Sequence, residues 1–155
     1  MDNSQKQDRR NPPLNKQAQQ DKSQSNLIKL ININCRSSKI NKYHIHALIA
    51  EENSDIIVGT ESWLKENDSD EECAPKDQYQ VFRKDRVHKK GGGVFIALRR
   101  SLIASEIPEL STDCEIIWCK ITLTNKKTLQ VAAFYRPNEG DGKSLDELKK
   151  SHWRW

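Results

Sequence analysis

Two stretches decide how this chain folds: Leu27–Asn34, LIKLININ, and Asp55–Leu64, DIIVGTESWL. Each reads as a buried strand that ends on polar residues, Asn32 and Asn34 in the first and Glu61 in the second. Amides and a carboxylate at the ends of core strands cost free energy unless they meet partners, and a metal ion is one such partner. In the first run the alternation puts Ile28, Leu30, Asn32 and Asn34 on one face and Leu27, Ile31 and Ile33 on the other, so both asparagines point the same way.

Between the runs, Asn41 is placed to cap a helix reaching about Asn53, with Ile45, Leu48 and Ile49 as its apolar stripe. Asp55–Thr60 is apolar on both faces, as a central strand should be. Strand, helix, strand at this spacing predicts a βαβ unit with parallel strands. Further on, Lys65–Asp77 reads as an acidic loop, Tyr79–Arg83 as a short strand and Lys84–Lys90 as a basic connection. Gly91–Gly93 should give a tight entry into a strand at Val94–Leu98. After a loop containing Pro108, Glu115–Leu123 and Thr128–Tyr135 form a hairpin through Thr124–Lys127. These antiparallel neighbours imply a mixed sheet. Ser144 and Glu147 have the spacing of a capping box that opens a last helix.

With 155 residues the chain suits one domain with a single core. Residues 1–26 are almost free of aliphatic side chains and are expected to form a disordered polar tail, leaving 27–155 as the domain. No apolar run approaches the roughly 18–20 residues that span a bilayer. The polar start carries no signal-peptide pattern. Cys35, Cys73, Cys114 and Cys119 lack zinc-site spacing and read as reduced, incidental thiols of an intracellular protein. The net charge of +4 suits contact with nucleic acid without establishing it.

Five segments occur in a fixed order: NINCRS (32–37), DIIVGTESWL (55–64), VFRKDR (81–86), GGGVFIAL (91–98) and AAFYRP (132–137). Together they make the chain resemble the endonuclease/exonuclease/phosphatase superfamily, and most of all the endonuclease domain of non-LTR (LINE-type) retrotransposons. The resemblance covers about Leu27 to Leu148. It implies an α/β fold, a four-layer sandwich of two mixed sheets flanked by helices, of which this chain holds the first half.

The resemblance also implies site roles. Glu61 would hold a divalent metal, Mg²⁺ or Mn²⁺, an oxygen-seeking ion for which one or two carboxylates suffice. Asn32 and Asn34 would orient the metal, its waters and the scissile phosphate, and Tyr135 would hydrogen-bond the reacting phosphate. The bland alternatives are a solvated strand-end glutamate, an asparagine turn and a packed tyrosine. Arg83, Lys84, Arg86, Lys89 and Lys90, with Arg136, are candidate DNA-phosphate contacts. The alternative is a solvated loop in which Asp85 pairs with its arginine neighbours. Gly91–Gly93 lacks nucleotide-loop spacing, and His44 and His46 do not share a helix face. Trp63 and Trp118 read as core.

The family's chemistry is metal-assisted phosphodiester hydrolysis of target-site DNA, with a reverse transcriptase domain on the same polypeptide and action in the nucleus. Its water-positioning Asp-x-Asn motif and its general-base histidine are not found after Pro137, where the one histidine is His152. The chain is therefore expected to be marginally stable and inactive alone. The alternatives are a non-catalytic remnant that binds nucleic acid through the basic loop, or a phosphatase-type member of the fold.

Overall fold

In the computed structural model, residues 27–137 and 142–152 are described. The predicted tail and the residues around 138–141 lie outside them. Strand β1 (Leu30–Asn34) is followed by helix α1 (Ser38–Glu52) and by β2 (Ile56–Thr60), which pairs parallel to β1 as the spacing requires. Then come β3 (Tyr79–Lys84) and β4 (Val94–Arg99), antiparallel to each other, with β4 also antiparallel to β2. The order β1-β2-β4-β3 makes this first sheet mixed. Strands β5 (Ile103–Glu106), β6 (Glu115–Thr122) and β7 (Thr128–Tyr135) form a second sheet, antiparallel among the described residues. The mixed sheet is thus the first one, and the predicted hairpin belongs to its partner. β5 falls in the stretch read as loop; its four residues are mostly exposed and carry no sustained apolar alternation.

Two cores separate three layers. Ile45 and Ile49 of α1 pack with Ile57, Phe95 and Ala97 on one face of the first sheet, joined by Ile31 and Ile33. The opposite face, Ile56, Val58, Ile96 and Leu98, meets Ile117, Cys119, Ile121, Val131 and Ala133 of the second sheet. The predicted alternation in β6 holds, because Ile117, Cys119 and Ile121 point into this inter-sheet core. All four cysteines are free and buried. Among the described residues, no helix is long and apolar enough to cross a membrane.

Several local expectations need correction. β1 is not fully buried: among the described residues it pairs on one side only, and Leu30, Asn32 and Asn34 are exposed while Ile31 and Ile33 are half-buried. Asn41 is not the cap of α1. The helix begins at Ser38, and the Asn41 amide donates back to the carbonyls of Cys35 (2.9 Å) and Arg36 (3.2 Å). Ser144 lies inside α2 (Gly142–His152) rather than at its cap. Leu48 and Trp63 are each 38% exposed, so neither is core, and Trp118 is half-buried with its indole N–H enclosed and unpartnered among the described residues.

Gly59 of β2 lies opposite Phe95, and a methyl group there would fall 2.0 Å from the phenyl ring. Both strands are buried, so the ring has little room to yield. Gly59→Ala is expected to cost about 1–3 kcal/mol through overpacking, read as a lower urea midpoint. The further change Phe95→Leu should recover part of that loss; a midpoint unchanged by Gly59→Ala contradicts the packing described.

Candidate active site

The candidate site forms where the parallel strands β1 and β2 end, because their hydrogen bonding continues past the strands through unusual backbone. Cys35 N–H donates to the Thr60 carbonyl at 2.8 Å, Ser37 to Glu61 at 2.9 Å and Ser38 to Ser62 at 2.9 Å. The first N–H groups of a helix have no intrahelical acceptor, and here the β2 exit supplies two of them, which is why Ser37 needs no side-chain cap. On the other side, Ser62 N–H donates to Gly93 at 3.3 Å and Trp63 N–H to Gly92 at 2.9 Å. Arg36, Ser37, Glu61 and Trp63 all have left-handed φ values, 43°, 83°, 53° and 55°. Such strain in residues with side chains persists only where the surroundings impose it, and it concentrates at functional sites. Gly91, Gly92 and Gly93 carry φ values of 81°, 70° and 84°, so the tight entry expected of this run is present.

This backbone turns the Glu61 carboxylate toward two of the residues singled out above. Its Oε1 accepts a hydrogen bond from Tyr135 Oη at 2.6 Å and from Asn34 Nδ2 at 3.2 Å. Asn34 Oδ1 in turn accepts from the Arg36 N–H at 3.2 Å, which fixes the amide's orientation. The Tyr135 hydroxyl, then burial in the opposite sense, then Asn34, Arg36 and Arg86 set the ionisation of Glu61, with a net result below the usual carboxylate range. The same hydrogen bond pushes the Tyr135 phenol up. Asn34, Glu61 and Tyr135 are therefore brought together across two strands of one sheet and the edge of the other. Asn32 shares the Asn34 face two residues back and is exposed.

The basic residues divide. Arg83 is turned inward: its Nη2 donates to the carbonyls of Lys65, Glu66 and Asp68, and its Nε pairs with Asp70 at 3.1 Å. Asp85 stands 3.7 Å from it, held above the usual carboxylate range by burial against the attraction of Arg83. Lys84 donates to the Thr112 carbonyl, and Arg86 pairs with Glu115. These three side chains are engaged by groups of the protein itself. Lys89 and Lys90 are exposed. Arg136 is half-buried, with its Nε enclosed and unpartnered among the described residues. His46 donates to the Glu71 carbonyl at 2.9 Å, away from the site.

Sequence reasoning missed Glu115. Its carboxylate accepts the Gly93 N–H at 2.7 Å while pairing with Arg86, whose guanidinium stands 6.0 Å from the Tyr135 ring centroid. It thereby ties the glycine run, the basic loop and β6 into one corner. A lone glutamate at a strand start carries no signal of this.

A divalent cation fits this corner in a limited way. Among the described residues, no three His, Cys, Asp or Glu side chains cluster as a metal cage. Mg²⁺, however, is commonly held by one or two carboxylates and retains its waters. Glu61 is ionised and its Oε2 accepts no hydrogen bond from the described residues, which suits a site of that kind.

No protein-family model matches the chain, and no curated protein does. Among solved structures, the endonuclease domain of TRAS1, a telomere-specific non-LTR retrotransposon, is similar with a TM-score of 0.62 and 17% identity, over 79% of this chain and 52% of that one. The AP endonuclease LMAP from Leishmania major gives 0.58 and 16%, over 82% and 45%. The Xenopus laevis APE2 catalytic domain gives 0.55 and 14%, over 81% and 51%. At these identities the likeness is one of fold. The chain has part of the α/β fold that these structures share, and it spans about half the length of the structures it matches.

Removing the tyrosine hydroxyl should raise the Glu61 pKa, because that hydroxyl is the largest influence lowering it. Tyr135→Phe is expected to shift the Glu61 carboxyl titration upward in NMR, and an unmoved titration contradicts the hydrogen bond. The sign for stability follows: a carboxyl depressed in the folded state stabilises above the unfolded pKa, and that contribution is lost as pH falls through the folded value. The wild type should therefore lose more stability than Tyr135→Phe on acidification through this range.

Proposed function

We propose that this chain is the metal- and phosphate-holding half of a DNA endonuclease of the non-LTR retrotransposon kind, which hydrolyses a phosphodiester at a target site. The observation that carries this reading is the convergence of Asn34 and Tyr135 on Glu61 at the carboxyl ends of the strands. The fold shared with nuclease domains supports it.

In this reading Glu61 holds Mg²⁺ or Mn²⁺, with Asn34 fixing the carboxylate's orientation. When bound, the ion supplies Lewis-acid polarisation of the phosphate and neutralises charge. In this reading Tyr135 Oη, which donates to Glu61 in the free chain, donates instead to a phosphate oxygen as negative charge develops there. Asn32, exposed on the same face, orients water or the phosphate from the strand edge, and Arg136 lies one residue beyond Tyr135. DNA is the substrate, the reverse transcriptase shares the polypeptide in intact relatives, and the reaction takes place in the nucleus.

A second reading for the chain alone is that it binds DNA through its basic loop, where Lys89 and Lys90 are exposed, without cutting it.

The two readings are tested together. Mn²⁺ should broaden the NMR signals of Asn34 and Tyr135 in the wild type and leave them sharp in Glu61→Gln; broadening that persists in the variant rejects Glu61 as the ligand. Duplex DNA should bind with an affinity that falls as salt rises, through counterion release. Plasmid incubated with the chain and Mg²⁺ is expected to stay supercoiled. Nicking that disappears in Glu61→Gln would show instead that the chain carries a complete active site.

A further inference from the structure

Trp63, two residues beyond Glu61, combines features that a packed core residue does not need. It is 38% exposed and has a φ of 55°, a region that costs a bulky side chain strain. Its N–H donates to the Gly92 carbonyl at 2.9 Å, and its indole lies over Gly91, where an added methyl would sit 3.4 Å from Nε1. The glycine therefore seats one side of the ring and leaves the indole part-exposed. That indole lines a groove of about 770 Å³ whose rim carries Lys65, His88, Lys89 and Lys90, all exposed. The acidic residues lining it are Glu66 and Asp85, and Asp85 faces Arg83. Arg86 lines the same groove and also stands over Tyr135, so the groove and the Glu61 corner share a wall.

A flat, part-exposed indole seated against Gly91 and bordered by cations is the combination that receives an unstacked base while the cations follow its phosphates. We infer that Trp63 is a stacking platform for a base of the DNA strand beside the scissile phosphate, with Lys89 and Lys90 contacting the adjoining backbone. The inference rests on the nuclease reading above and adds a subsite to it. Stacking of this kind tolerates any base, so the subsite sets the position of the strand rather than its sequence.

The test is a titration of the full chain with a short single-stranded oligothymidylate, followed by anisotropy and by tryptophan emission, with thymidine monophosphate alongside. Trp63→Ala should weaken oligonucleotide binding roughly five- to 150-fold. The slope of log affinity against log salt should stay unchanged, since no phosphate contact is lost. Trp63→Phe retains a ring and should keep most of the affinity, yet lose the quenching of emission that the base produces in the wild type. Wild-type affinity and quenching in both variants overturn the stacking role while the nuclease reading stands. Equal affinity for the mononucleotide and the oligonucleotide overturns a strand as the ligand. Failure of the wild type to bind any DNA overturns the nuclease reading and the subsite with it.

Discussion

The structure depends on a backbone interlock at the exits of β1 and β2. Parallel strands that simply ended would leave the N–H groups of Ser37 and Ser38 without acceptors at the start of α1. Instead the Glu61 and Ser62 carbonyls receive them, while the N–H groups of Ser62 and Trp63 bond to the glycine run. The cost is a set of left-handed residues in which side chains are uncomfortable. The result is a Glu61 carboxylate aimed at the sheet edge rather than into solvent at large. Its Asn34 partner arrives from the neighbouring strand by register, since Asn34 lies opposite Thr60.

Tyr135 reaches the same carboxylate from the other sheet, so the inter-sheet core is part of the site. Ile117, Cys119, Ile121, Val131 and Ala133 seat β6 and β7 on the first sheet, and that seating sets where β7 ends. Glu115 holds the same corner from the start of β6. A loosened core would therefore separate Tyr135 from Glu61 without touching either residue. The coupling follows from close packing, because interdigitated side chains permit few relative positions of two sheets.

The basic loop shows why charge counts say little about partners. Five cations against Asp85 in Arg83–Lys90 resemble a phosphate-binding strip. Three of them neutralise or hydrogen-bond groups of the protein itself: Arg83 the carbonyls of the acidic loop, Lys84 the Thr112 carbonyl, Arg86 the Glu115 carboxylate. Their fates differ from those of Lys89 and Lys90 only through folding, which brings distant acceptors to the first group and leaves the second at the rim.

By itself the sequence determined the order of the strands and helices other than β5, the parallel β1–β2 pairing, the β6–β7 hairpin and the common face of Asn32 and Asn34. These follow from local periodicity, which a side chain expresses whatever its distant neighbours are. Tertiary structure alone decided that β1 is an edge strand among the described residues and that Asn41 ties back a turn instead of capping a helix. It also decided that β5 exists, that Glu115 bridges the glycine run to Arg86, and that Trp63 faces a groove. Each of these depends on a partner far along the chain, and no local pattern encodes where such a partner will lie.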